Sequence, residues 1–85
     1  MKNIRLSIHA PENLWLRKLL TDRRIDMGLS QRALAEKLNM VYSFVGKVET
    51  GDRRLDVVEF VLYCRALELM PEEILSSMQR EFFDN

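Results

Sequence analysis

The side chains able to do chemistry are few, and their placement is uneven. The 85-residue chain holds one cysteine, Cys64, and one histidine, His9. That leaves no internal disulfide and too few ligands for a protein-made zinc site. No nucleophile–base pair or metal cluster is evident, so no catalytic residue, cofactor or metal is expected. Recognition chemistry remains. Tyr42, Ser43 and Lys47 stand at spacings of one and four, which places them on the outer face of one helix. In a DNA major groove, lysine reaches guanine acceptors and serine can bond either base, while the Tyr42 hydroxyl could instead touch a phosphate. Thr50, Arg53 and Arg54 follow and suit clamps on the sugar–phosphate backbone. Phe44 has two readings, a thymine methyl or packing against the fourth helix. Gly46 costs its helix roughly 1 kcal/mol against alanine, and its bare backbone would permit close approach to DNA.

Net charge is zero, yet the charges segregate. Residues 1–54 carry an excess of five positive charges and residues 55–85 an excess of five negative ones. Such asymmetry suits a basic working surface on an acidic remainder. The longest apolar run is the five residues Phe60 to Cys64, too short to span a membrane. The first ten residues contain no apolar block of signal-peptide length, and a cytoplasmic location is expected.

The elements that must position these residues are helices. Pro11 opens a helix over 11–27, with Leu16, Leu19, Leu20, Arg23 and Met27 recurring at three- and four-residue steps and Gly28 as the stop. Ser30 caps a second helix over 31–38, closed at Asn39, which tolerates a left-handed turn. A third helix spans 41–50, with no capping side chain at its start and Gly51 at its end. Asp56 and Glu59 form a capping box for a fourth over 57–67, and Pro71 with two glutamates opens a fifth over 71–82. Ile4, Leu6 and Ile8 alternate with polar residues as in a strand, and the chain offers no second strand to pair with it. Residues 1–10 are therefore an arm or an intersubunit strand, and 11–85 the domain. Helices two and three, 31–50, suit a helix-turn-helix, whose second helix enters the major groove.

Gly28-Leu29-Ser30-Gln31, Leu34-Ala35-Glu36-Lys37-Leu38 and then Val45, Val48, Glu49 and Gly51 resemble the lambda-repressor-like (XRE-type) DNA-binding domain. Ser43 to Lys47, Gly51 to Phe60 and Cys64 to Leu67 resemble a bacterial subgroup of it. The likeness covers about residues 14–75 and implies a five-helix, all-α domain that dimerises on operator DNA. It also implies that Gln31 bonds a phosphate and that Glu49 is structural, paired with Arg24. Arg32 stands where relatives carry an acidic residue, which adds positive charge where phosphate would lie. Val41 and Tyr42 depart from the usual start of the reading helix, so base preference cannot be carried over.

The expected protein is thus a sequence-specific transcriptional regulator, a repressor acting as a homodimer on double-stranded DNA. The alternative is a protein-binding helix-turn-helix module, such as the antitoxin of a toxin–antitoxin pair. Residues 1–9 and the fifth helix, with Leu75, Met78, Phe82 and Phe83, are the two candidate dimer surfaces.

Overall fold

Five α-helices follow one another: α1 Pro11–Asp26, α2 Gln31–Lys37, α3 Ser43–Thr50, α4 Val57–Ala66 and α5 Pro71–Phe82. The computed structural model describes residues 8–84, and among them there is no strand. The expected intersubunit strand over 1–9 lies, as far as Ser7, outside the described residues; Ile8 and His9 form a turn leading into α1.

Local chemistry sets the boundaries. Pro11 and Pro71 sit in the first turns of α1 and α5, where a missing N–H costs nothing. The Ser30 hydroxyl accepts the Ala33 N–H at 3.0 Å. At the start of α4, Asp56 Oδ1 accepts the Glu59 N–H at 2.7 Å, and Glu59 Oε1 accepts the Asp56 N–H at 2.9 Å. Three helices end in the same way. Left-handed residues at Gly28, Asn39 and Glu68 (φ of 72, 58 and 58°) let their own N–H and that of the following residue fold back on the last turn. After α2, for example, Met40 donates to the Ala35 carbonyl at 2.9 Å and Asn39 to the Glu36 carbonyl at 3.0 Å. This closure moves one boundary. The chain needs Met40 to Tyr42 to leave it, so α3 begins at Ser43, two residues later than the periodicity suggests.

The interior is apolar. Leu20, Leu34, Ala35, Val45, Val48, Tyr63, Cys64 and Leu67 are each at most 3% exposed, drawn from α1, α2, α3, α4 and its C-cap. Trp15 and Phe82 meet edge to face, with centroids 5.9 Å apart, and hold α5 against α1. Burial pushes the Cys64 thiol up to about 11, so it behaves as a small hydrophobe and is not a nucleophile at neutral pH. The Tyr63 hydroxyl is buried and has no hydrogen-bond partner among the described residues.

Candidate nucleic-acid interface

Ala35 is wholly buried where α2 meets α3, and its small side chain suits a close crossing of the two helices. The crossing sorts the residues of α3. Phe44, Val45 and Val48 point into the core, whereas Ser43, Lys47 and Thr50 stay exposed. Val41 and Tyr42, just ahead of the helix, are 70% and 55% exposed. Together these five residues form a continuous face that runs from the turn along the helix. The Arg32 guanidinium lies 4.1 Å from the centroid of the Tyr42 ring, which ties that ring to α2. Arg32 also approaches Glu36 at 3.7 Å.

The face is anchored by a polar network. Arg24 of α1 grips Glu49 of α3 with Nε at 2.6 Å from Oε2 and Nη2 at 3.1 Å from Oε1. The two side chains are 12% and 9% exposed. Arg24 Nη1 donates to the Leu29 carbonyl at 2.8 Å, so the same side chain also braces the α1–α2 turn. Gln31 Nε2 donates to Glu49 Oε1 at 2.8 Å. The carboxylate on α3 is thereby neutralised by α1 and used to orient the first side chain of α2.

Several sequence expectations change once the side chains are placed. Phe44, a candidate DNA contact, is only 6% exposed and tilts against Tyr63 with centroids 6.3 Å apart, because it falls on the inner side of α3. Gly46 does not present bare backbone to an open groove. A Cβ there would come within 3.3 Å of Gln31 Oε1, so the absent side chain makes room for the Gln31 carboxamide. Arg53 is held by Glu59 and also donates to the Arg54 carbonyl, with its guanidinium 5.4 Å from the Phe44 ring centroid. Its charge is thus partly spent on fastening the loop to α4. That pairing, together with the Asp56 N–H, holds the Glu59 carboxyl below its ordinary range. Thr50 turns its hydroxyl back to the Lys47 carbonyl at 3.2 Å. Gly51 ends α3 in a left-handed conformation (φ of 91°), and a Cβ there would meet the Arg17 guanidinium at 3.0 Å. Arg54 is exposed in the same loop. Val41 was not foreseen as part of the face. The signal available was the uncapped apolar pair Met40–Val41, which reads as turn once Asn39 closes α2.

A short helix, α2, that buries Leu34 and Ala35 against the inner side of α3, while α3 keeps an exposed outer face, defines a helix-turn-helix domain within an all-α fold of five helices. Comparison with known proteins agrees. The family model described as Helix-turn-helix matches residues 20–74. The chain is also similar to a solved structure titled "XRE-family like protein from Pseudomonas syringae pv. tomato str. DC3000", at 37% identity and a TM-score of 0.81. That match covers 88% of this chain and 92% of the other. Comparison with curated proteins finds no match. The chain belongs to the XRE-type helix-turn-helix family. No helix among the described residues is long and apolar enough to cross a membrane.

Proposed function

We propose that this protein is a sequence-specific DNA-binding transcriptional regulator, acting in the cytoplasm as a homodimeric repressor. The observation that carries the reading is the sorting of α3. Its apolar residues are consumed by the core, and Ser43 and Lys47 are left beside Val41 and Tyr42 on one exposed face. In the major groove Lys47 donates to guanine O6 and N7, Ser43 bonds either base, and Val41 packs on a thymine methyl. Gln31, Arg32 and Arg54 contact phosphates at the two ends of the face, and Thr50 and Arg53 support that backbone contact from the end of α3. The family background favours binding over catalysis.

Selection from a random duplex pool, followed by salt titration on the selected and on random DNA, tests the proposal. A reader enriches one motif and loses affinity on both duplexes as salt rises, with a logarithmic slope of about −0.9 per phosphate contact. An unenriched pool with no binding at low salt overturns it. Protein binding as the main role, as by an antitoxin, would then be the better reading.

A further inference from the structure

Between α1, the Gly51–Asp56 loop, α4 and α5 lies an apolar groove of about 280 Å³. Leu16 and Leu20 of α1, Leu55 of the loop, Phe60 of α4 and Leu75 of α5 wall it. Water in such a place has few polar partners, so hydrocarbon displaces it favourably. At about 30 Å³ for each water-sized group, the groove takes roughly nine non-hydrogen atoms. That is the size of a small molecule and too little for a partner helix.

The charged part of the wall is mainly cationic. Arg17, Arg53 and Arg54 line the groove against one acid, Asp56. These cations are not equivalent. Arg53 is held by Glu59. Arg17 is held by a neutral acceptor, the Ile8 carbonyl at 2.6 Å, so that bond leaves its charge uncancelled. Arg17 is half-buried, and its guanidinium lies 3.0 Å from where a Cβ on Gly51 would stand. The bare backbone at the end of α3 thus leaves room for the guanidinium at the edge of the groove.

We infer that this groove is a binding site for a small amphipathic carboxylate, with its hydrocarbon body on the leucines and Phe60 and its carboxylate on Arg17. Charge complementarity selects that ligand. A neutral hydrocarbon leaves Arg17 unused, and an amine is repelled by Arg17 and Arg54. A carboxylate instead offers two oxygens to the guanidinium fork. A mostly apolar wall with one or two placed charges is also the usual make-up of a small-molecule site.

Occupancy is coupled to α3. The Arg53 N–H donates to the Lys47 carbonyl at 3.1 Å, and the core residue Val48 also lines the groove. Arg54, proposed above as a phosphate contact, is on the same wall. A bound carboxylate competes with a DNA phosphate for the cations of this loop. The ligand therefore lowers DNA affinity and, by reciprocity, DNA lowers that of the ligand. This step rests on the DNA-reading proposal, and the site itself does not.

Nuclear magnetic resonance titration of the full chain tests the site, with octanoate as the probe. Octylamine controls for the sign of the head group and acetate for the hydrocarbon. Octanoate should shift the amides of Leu16, Gly51, Leu55 and Phe60 and leave that of Ile25, which does not line the groove, in place. It should bind at least about tenfold more tightly than either control. Arg17→Met should cost about tenfold in octanoate affinity and erase its advantage over octylamine. Leu75→Asp, which puts a carboxylate on the wall, should weaken octanoate as much, and thermal melts check that both variants fold. Unmoved groove amides, octylamine binding as tightly as octanoate, or full affinity in both variants each overturns the inference. So do groove amides that move on protein dilution alone, since a second copy would then fill the groove. A duplex selected from the random pool supplies the second readout. Octanoate should weaken its binding about tenfold relative to equal acetate, and the effect should vanish in Arg17→Met. A motif-reading protein whose DNA affinity octanoate leaves unchanged overturns the coupling. A protein that takes octanoate in the groove and enriches no motif sinks the functional reading alone, and one that enriches a motif but takes no octanoate sinks this inference alone.

Discussion

Replacing Glu49 with alanine should be among the most damaging single changes in the molecule, although Glu49 lies on α3, the helix proposed to read DNA. The substitution strips both guanidinium contacts from Arg24, at 2.6 and 3.1 Å, and one from Gln31 at 2.8 Å. Arg24 cannot simply swing into water. Its side chain is 12% exposed and Nη1 stays bonded to the Leu29 carbonyl. The variant therefore holds a largely desolvated cation with one acceptor, a situation that costs about 3–5 kcal/mol. A domain of this length has a total stability of roughly 4–13 kcal/mol, so about a quarter or more of it should disappear.

Urea denaturation followed by far-UV circular dichroism measures the loss, and the melting temperature should fall by at least about 12 °C. The double variant Arg24→Met/Glu49→Leu supplies the control. Exchanging both ions for apolar side chains removes the orphaned charge, so the double variant should be more stable than Glu49→Ala alone. A Glu49→Ala loss below about 1 kcal/mol would place the pair among ordinary surface ion pairs. A double variant no better than the single one would show that the damage is lost packing rather than an unpaired charge.

Other substitutions test neighbouring steps. Gly46→Ala gains about 1 kcal/mol of helix propensity but pushes the Gln31 carboxamide from its place. Stability should change by less than about 1 kcal/mol while operator affinity drops about tenfold, and wild-type affinity in a binding titration would show that the placement of Gln31 is not used. Tyr63→Phe removes a buried hydroxyl without a partner and should stabilise the fold by about 1 kcal/mol; a loss of stability in urea would reveal a bond that the hydroxyl makes. Arg53 keeps the Glu59 carboxyl below its ordinary value of 4.5, so the cap it forms on α4 contributes above that pH and is lost as pH falls through the lowered range. Glu59→Gln should flatten that part of an acid titration of stability, and an unchanged acid limb would rule the cap out as its source. Lys47→Ala should lower specific binding by about 1–3 kcal/mol and change the preferred base at one position per half-site, whereas Arg54→Ala should weaken specific and random DNA alike; an unaltered preferred motif would make Lys47 a phosphate contact.

Helix number, helix type and the caps at Ser30 and Asp56 were legible because each depends on residues within four positions of one another. Asn39 was legible for the same reason, being a residue that tolerates the left-handed turn. Glu68 adopts that same conformation and was not, since glutamate carries no local preference for it and the surrounding packing imposes it. The start of α3 was misplaced because Val41 and Tyr42 continue the apolar period of the helix without belonging to it. Phe44 had two readings in sequence, and one helix position of about 100° decides between core and groove. The role of Gly46 was out of reach of any local pattern, because its neighbour is a side chain fifteen residues earlier.

The largest gap between sequence and structure concerns charge. An excess of five positive charges over residues 1–54 suggests a broadly basic face, but much of that charge is committed within the fold. Arg17 donates to the Ile8 carbonyl, Arg23 to the Leu67 carbonyl and Lys37 to the Ala66 carbonyl. Arg24 and Arg53 are held by Glu49 and Glu59. Arg23 and Lys37 sit where the carbonyls at the end of α4 attract cations, so they fasten α1 and α2 to that helix. Counting lysines and arginines thus overstates how many side chains are placed to reach a polyanion, because a cation bonded to a backbone carbonyl keeps its charge but is held in place by the fold, and such a bond leaves no trace in composition. A small domain with few cations to offer has to place those few well. Lys47, exposed on the outer face of α3, is the cation whose position owes most to the helix crossing beneath it, which is why the proposed reading rests on it.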